Sequence, residues 1–136
     1  MRLSIEMLPN WESRTNHNGP FELRRLRATA DNVLQISFGE NTKRKELNFT
    51  IDQLADIAQK QALQSGGKIE VRVGGSCRFG TFGKVQFTTQ RFPHCQTWVL
   101  CNNYDFITAT YYCAALPSSD ELAEVDYIVS RLGLKT

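Results

Sequence analysis

A chain of 136 residues, 41% hydrophobic and 22% charged, has the length of one domain, 1–136, and a composition that excludes a disordered tail or a fibrous repeat. Its net charge of +2 hides 14 Lys and Arg against 9 Asp and Glu through Arg91, then 2 against 5 beyond it. That imbalance is too small to indicate nucleic acid, so none is expected as a partner.

No apolar run approaches the roughly 18 residues that cross a bilayer, and "MRLSIEMLPNWESR" lacks the apolar centre of a secretion signal. The expectation is a cytoplasmic chain with no membrane partner, in which Cys77, Cys95, Cys101 and Cys113 are free thiols. In an exported chain the four could pair in any of three ways.

In chain order, Leu3, Ile5 and Met7 alternate with polar neighbours and predict a first strand. "PNWESRTNHNGP" reads as a loop rich in turn formers. Trp11 within it is an anchor over its own core or, as the other reading, a ligand platform. "FELRRLRAT" and "NVLQISFGE" predict a hairpin joined at "ADN". Strand alternation places Arg25 and Arg27 on one face and Arg24 on the other, as edge or solvent decoration.

"ENTKRKELN" is a polar connection, and "TIDQLADIAQKQALQSGG" is the clearest helix. Thr50 and Gln53 have capping-box spacing, Ile51, Leu54, Ala58 and Ala62 form its apolar stripe, and Gly66 and Gly67 stop it. "KIEVRV" predicts a strand with Ile69, Val71 and Val73 in the core and Lys68, Glu70 and Arg72 in water. "KVQFTTQ" continues the sheet until Pro93 breaks it.

"CQTWVLC" and "YDFITATYYCA" flank Asn102 and Asn103 and predict a tight hairpin. A two-residue turn would set Cys101 opposite Tyr104, Trp98 opposite Ile107 and Cys95 opposite Thr110. Trp98, Leu100, Ile107, Ala109, Tyr111 and Cys113 then face the core. The other face, with Cys95, Thr97, Val99, Phe106, Thr108, Thr110 and Tyr112, is less polar than a wetted face, so the fold or a partner covers it. The C-terminal "PSSDELAEVDYIVSRLGLKT" is a second helix, with Ser118 and Glu121 at its start and Gly133 at its end. The class is α+β, a curved and mainly antiparallel sheet packed against two main helices.

Chemistry is sparse. The glycine-rich "RVGGSCRFGTFG" runs strand to strand with no helix N-terminus to receive an anion, so it reads as a bulged turn. His94 and Cys95 are neighbours on a strand and point to opposite faces, which argues against a dyad. His17, His94 and four scattered cysteines lack paired metal-ligand spacing, so no cofactor or metal is expected.

"LPNW", "FTIDQLADIAQ", "GGSCRFGTFGKVQF" and "FITATYYCAALPSSDELAEVDYIVSRL" together resemble the superfamily of the photosystem extrinsic protein PsbP, the lipoprotein DcrB and the Ran-binding nucleotide-release factor. The resemblance implies an α/β/α sandwich that binds other proteins and has no active site. Without signal peptide or lipobox it favours a bacterial cytoplasmic branch, some members of which resemble effector-binding chaperones of type VI secretion. Immunity proteins that neutralise toxins are a competing role. The expectation is a non-enzymatic protein-binding module, an adaptor, chaperone or immunity-type partner of a secreted effector or toxin. Its candidate partner-binding residues are Val99, Phe106, Thr108, Thr110 and Tyr112, rimmed by Arg25 and Arg27. The alternative is a thiol-dependent enzyme or small-ligand binder using Cys95 or Cys77 near His94.

Overall fold

The structure, a computed structural model, describes residues 2–15, 20–28, 30–39 and 46–135. His17 and most of the polar connection after β4 lie outside the described residues. The elements are β1 (Arg2–Ser4), β2 (Trp11–Thr15), β3 (Phe21–Arg25), β4 (Val33–Gly39), α1 (Ile51–Gln64), β5 (Lys68–Cys77), β6 (Gly80–Thr88), β7 (His94–Cys101), β8 (Phe106–Cys113), α2 (Ser119–Ser130) and β9 (Gly133–Lys135). Seven strands form one antiparallel sheet in the order β2-β3-β4-β8-β7-β6-β5, and β1 pairs with β9 in a separate ribbon that ties the two chain ends together.

Each helix takes one face of the sheet. The capping box of α1 forms as its spacing requires: Gln53 N donates to Thr50 Oγ1 at 3.1 Å and Thr50 N donates to Gln53 Oε1 at 2.9 Å. Leu54, Ala58 and Ala62 of α1 then pack on Val85, Phe87, Cys95, Val99 and Cys101. On the opposite face Val125, Ile128 and Val129 of α2 pack with Leu132 on Leu23, Leu34, Ile36, Trp98, Leu100, Ile107 and Tyr111. Each fully buried aliphatic side chain in these layers contributes about 2 kcal/mol.

Five expectations are corrected here. The stretch expected as a loop contains β2, the sheet's edge strand, whose polar side chains are tolerable because one side of an edge strand meets water. Trp11 begins it and is only 4% exposed, a core anchor. The β7–β8 turn spans four residues, because Asn102 Oδ1 accepts from the backbone N–H of Tyr104 and Asp105 and Asn103 takes φ 81°. Cys101 therefore faces Phe106, and Cys95 faces Tyr112. A slip of two residues preserves the alternation, so the core face stands as expected.

The third correction concerns β5. Its register shifts between Ile69 and Val71, leaving Glu70 as an extra residue in the ladder. Beyond this bulge the faces exchange: Arg72 turns towards α1, meeting Asp52 and Asp56 at 2.7 Å each, while Val71 and Val73 emerge on the other side at 45% and 47% exposure. Fourth, Gly74 and Gly75 lie inside β5, not in a turn, and the hairpin closes at Arg78 and Phe79. Gly74 pairs with Gly83 of β6, and both lie where the start of α1 crosses the sheet. Gly133 ends no helix; it opens β9.

Candidate functional site

Because α1 lies over β5, β6 and β7, its face of the sheet remains without a helix across β3, β4 and β8 among the described residues. A cleft of about 540 Å³ lies there, lined by residues that include Glu22, Arg24, Gln35, Arg91, Phe92 and Tyr112. Its apolar part is the Phe92–Tyr112 ring pair, with centroids 5.3 Å apart. Phe92 is held by a turn, in which Thr89 N donates to Phe92 O at 3.0 Å and Phe92 N donates to Thr89 Oγ1 at 2.9 Å. The Arg91 guanidinium sits 5.1 Å over the Phe92 ring and meets no carboxylate among the described residues. Arg24 pairs with Asp31 and, at 3.8 Å, with Glu22. The cleft thus presents two rings within a rim of both charge signs.

The expected partner-binding residues divide. Thr108, Thr110 and Tyr112 of β8 lie partly exposed on this uncovered area. Thr110 is fixed by Thr97, whose hydroxyls meet at 2.8 Å. Phe106 shares the face but packs edge-on against Phe49 at 5.4 Å. Val99 is 1% exposed beneath α1 and presents nothing to a partner.

Arg25 and Arg27 are not its rim. Arg25 shares the parity of Leu23, whose side chain is core, and so lies on the opposite face, where its guanidinium meets Glu124 at 2.9 Å and Glu121 at 3.7 Å. Arg27 lies beyond the end of β3 with φ 60°. The residue on the cleft side is Arg24. The alternation Glu22, Arg24 around apolar Leu23 carried that signal, whereas Arg91 and Phe92 follow a strand end and had none.

No family model and no curated protein matches this chain. Among solved structures it is similar to cyanobacterial PsbP (CyanoP) from Synechocystis sp. PCC 6803, with a TM-score of 0.63 over 98% of this chain and 86% of that one, at 13% identity. The chain has the PsbP fold. A protein of Bacteroides thetaiotaomicron VPI-5482 also aligns, at 10% identity and a TM-score of 0.44, over 98% of this chain and 45% of that one.

At such identity the PsbP fold transfers no site residue, so the chemistry rests on the side chains themselves. Burial raises all four thiols above their ordinary range, and it pushes Cys95 up to about 11. Burial lowers His94, and neighbouring Glu70 offsets this only in part. His94 pairs across the sheet with Cys113 and shares its α2 face, whereas Cys95 packs under α1. Cys77 lies at the other end of the sheet, two strands from Cys101. The expected outcome is that every thiol of the native protein is alkylated more slowly at neutral pH than in denaturant. One thiol reacting faster when folded would reinstate a nucleophile.

The most elaborate polar cluster in this PsbP fold lies at the start of α2. Ser118 caps the helix by accepting from Glu121 N at 3.1 Å. The Glu121 side chain does not return to the cap; its carboxylate accepts from the Tyr111 hydroxyl and from Asn32 Nδ2 at 2.8 Å. Burial first, and this bond second, raise the Tyr111 phenol so that it remains the donor. Glu124 accepts from Asn10 and from Trp11 Nε1 at 3.1 Å. These carboxylates fasten α2 to β2, β3 and β8.

Proposed function

We propose that this chain is a non-enzymatic protein-binding module that presents the uncovered area of its sheet, centred on Phe92 and Tyr112, to another protein. The observation that carries this reading is a ring pair at the margin of the α1 layer, set inside a charged rim where that face of the sheet carries no helix. Protein interfaces have that anatomy: a few aromatic anchors bind, and the polar border excludes water. Raised thiols and the separation of His94 from Cys95 favour binding over catalysis. The finer role we infer, an adaptor, chaperone or immunity partner in secretion or toxin neutralisation with a secreted effector or toxin as the partner, rests on the sequence motifs that resemble the PsbP and DcrB superfamily. Among the described residues no helix is long and apolar enough to cross a membrane.

The test is affinity purification of the tagged chain from its native cells, followed by binding measurements with whichever protein co-elutes stoichiometrically. Tyr112→Ala and Arg91→Glu should each weaken that complex by about tenfold or more, the loss expected for a truncated anchor or a reversed rim charge. Val71→Ser, on the other face, should leave it unchanged. Unchanged binding by folded Tyr112→Ala would remove this face from the reading.

A further inference from the structure

At the β5 end of the sheet the α2 face, onto which the bulge turns Val71 and Val73, is open. A groove of about 560 Å³ runs there between α2 and the β5–β6 hairpin. Val73, Phe82, Trp98, Leu100 and Val129 contribute its apolar lining. Its size and lining are those of a small-molecule site, which is mainly apolar with a few polar groups that fix orientation.

The charges of that lining are unequal. Lys84 and Arg131 contribute two cations, and Asp126 is the one carboxylate among the lining residues. Lys84 Nζ lies 4.8 Å from the Trp98 ring centroid, over the apolar part, and 3.3 Å from Asp126. Arg131 stacks 3.8 Å over Tyr127, and its carboxylate, Glu6, stands 3.8 Å away and is held at 2.7 Å by Arg78. Arg131 Nη1 also reaches Ser130 Oγ at 3.5 Å, which leaves the Nη2 end of the guanidinium to face a guest beside the apolar groove. Around the groove Lys84, Arg131 and Arg78 outnumber Asp126 and Glu6 by one, so a neutral apolar guest would leave one cation unanswered, and a small polar anion would leave the half-buried Phe82 and the exposed Val73 wet.

We propose that this groove binds a small amphipathic carboxylate, aliphatic or aromatic, whose apolar body lies on Phe82 and Val73 and whose anionic head meets Arg131 and Lys84. The site is separate from the Phe92–Tyr112 cleft, which lies on the other face of the sheet, so either can fail without the other.

The probe is octanoate, titrated into the full chain below its micelle concentration and followed by backbone amide NMR shifts, with 1-octanol and acetate as comparisons. Octanoate should shift amides of residues 73–84 and 126–131 saturably, and bind about tenfold more tightly than either comparison compound. Arg131→Met should remove most of that preference for octanoate over octanol. Ala123→Trp, at an exposed α2 position lining the groove, should block octanoate and leave the spectrum otherwise folded, which covers the case in which Arg131→Met disturbs the helix end. Equal binding of octanol and octanoate would overturn the carboxylate assignment and leave an uncharged guest or a partner's apolar side chain as occupant. Absence of saturable shifts, or shifts confined to the Tyr112 face, would overturn the site.

Discussion

Glu121→Ala should lower the unfolding free energy by about 3 kcal/mol, because it strips a buried cluster of its acceptor and leaves the donors in place. The Tyr111 hydroxyl and Asn32 Nδ2 both donate to Glu121 Oε2, and Tyr111 and Asn32 are 1% and 7% exposed. Asn32 Nδ2 keeps Ala115 O at 3.3 Å as a second acceptor, so the loss falls mainly on the Tyr111 phenol. Arg25 is less affected, since Glu124 holds it at 2.9 Å. Denaturant midpoints of the single and double variants separate the bond from mere bulk. Glu121→Gln, which keeps an acceptor for the phenol, should cost clearly less than Glu121→Ala. Combined with Tyr111→Phe, Glu121→Ala should show a coupling above about 1 kcal/mol, as contacting residues in one hydrogen-bond network do. Additive single effects would mean that Glu121 and Tyr111 are neighbours without being partners.

The same cluster shows what sequence reading reaches and where it stops. Glu121 three residues after Ser118 has capping spacing, and the Ser118 half of the box is present. The carboxylate goes elsewhere because Tyr111 and Asn32 offer buried donors that a distant stretch of chain brings in, 10 and 89 positions away. The α1 cap is fully legible because both of its partners are local. Face assignments along β7 and β8 survive a wrong turn length, since a two-residue slip keeps every side chain on its side. A single extra residue does the opposite, and so one bulge at Glu70 moves Val71 and Val73 out of the expected core and brings Val73 to the groove. Nothing in the alternation of "KIEVRV" marks that bulge; it is a property of pairing with β6. The candidate cleft was legible only through Tyr112, because Arg91 and Phe92 reach it from a turn and Arg24 from a strand two places across the sheet.

Gly83→Val is expected to be at least as damaging as Glu121→Ala, with a loss of about 3 kcal/mol or more, through overpacking against backbone. Gly83 is buried on β6, and a Cβ there would overlap the backbone of Leu54 and Ala55 at the start of α1. Its φ lies outside the left-handed region, so the requirement for glycine is one of space and not of conformation. A helix backbone cannot swing aside as a side chain does; α1 must lift, and in lifting it loosens Leu54, Ala58 and Ala62 from Val85, Phe87 and Val99 together. Small residues on both partners fit this close crossing, since Ala55 and Ala58 face a strand pair that carries Gly74 and Gly83. Gly74→Ala should cost less, because its nearest obstacle is the Ile51 side chain, although Phe82 O at 2.9 Å limits the relief. Gly133→Ala meets nothing within 4 Å and serves as the neutral control, within about 0.5 kcal/mol of the parent. Thermal or denaturant unfolding of the three variants orders them, and amide exchange along 51–64 reports whether α1 is the element released. If Gly83→Val matched Gly133→Ala in stability, α1 would have to sit farther from β6 than this packing places it, and the helix-free area of the sheet would need to be redrawn with it.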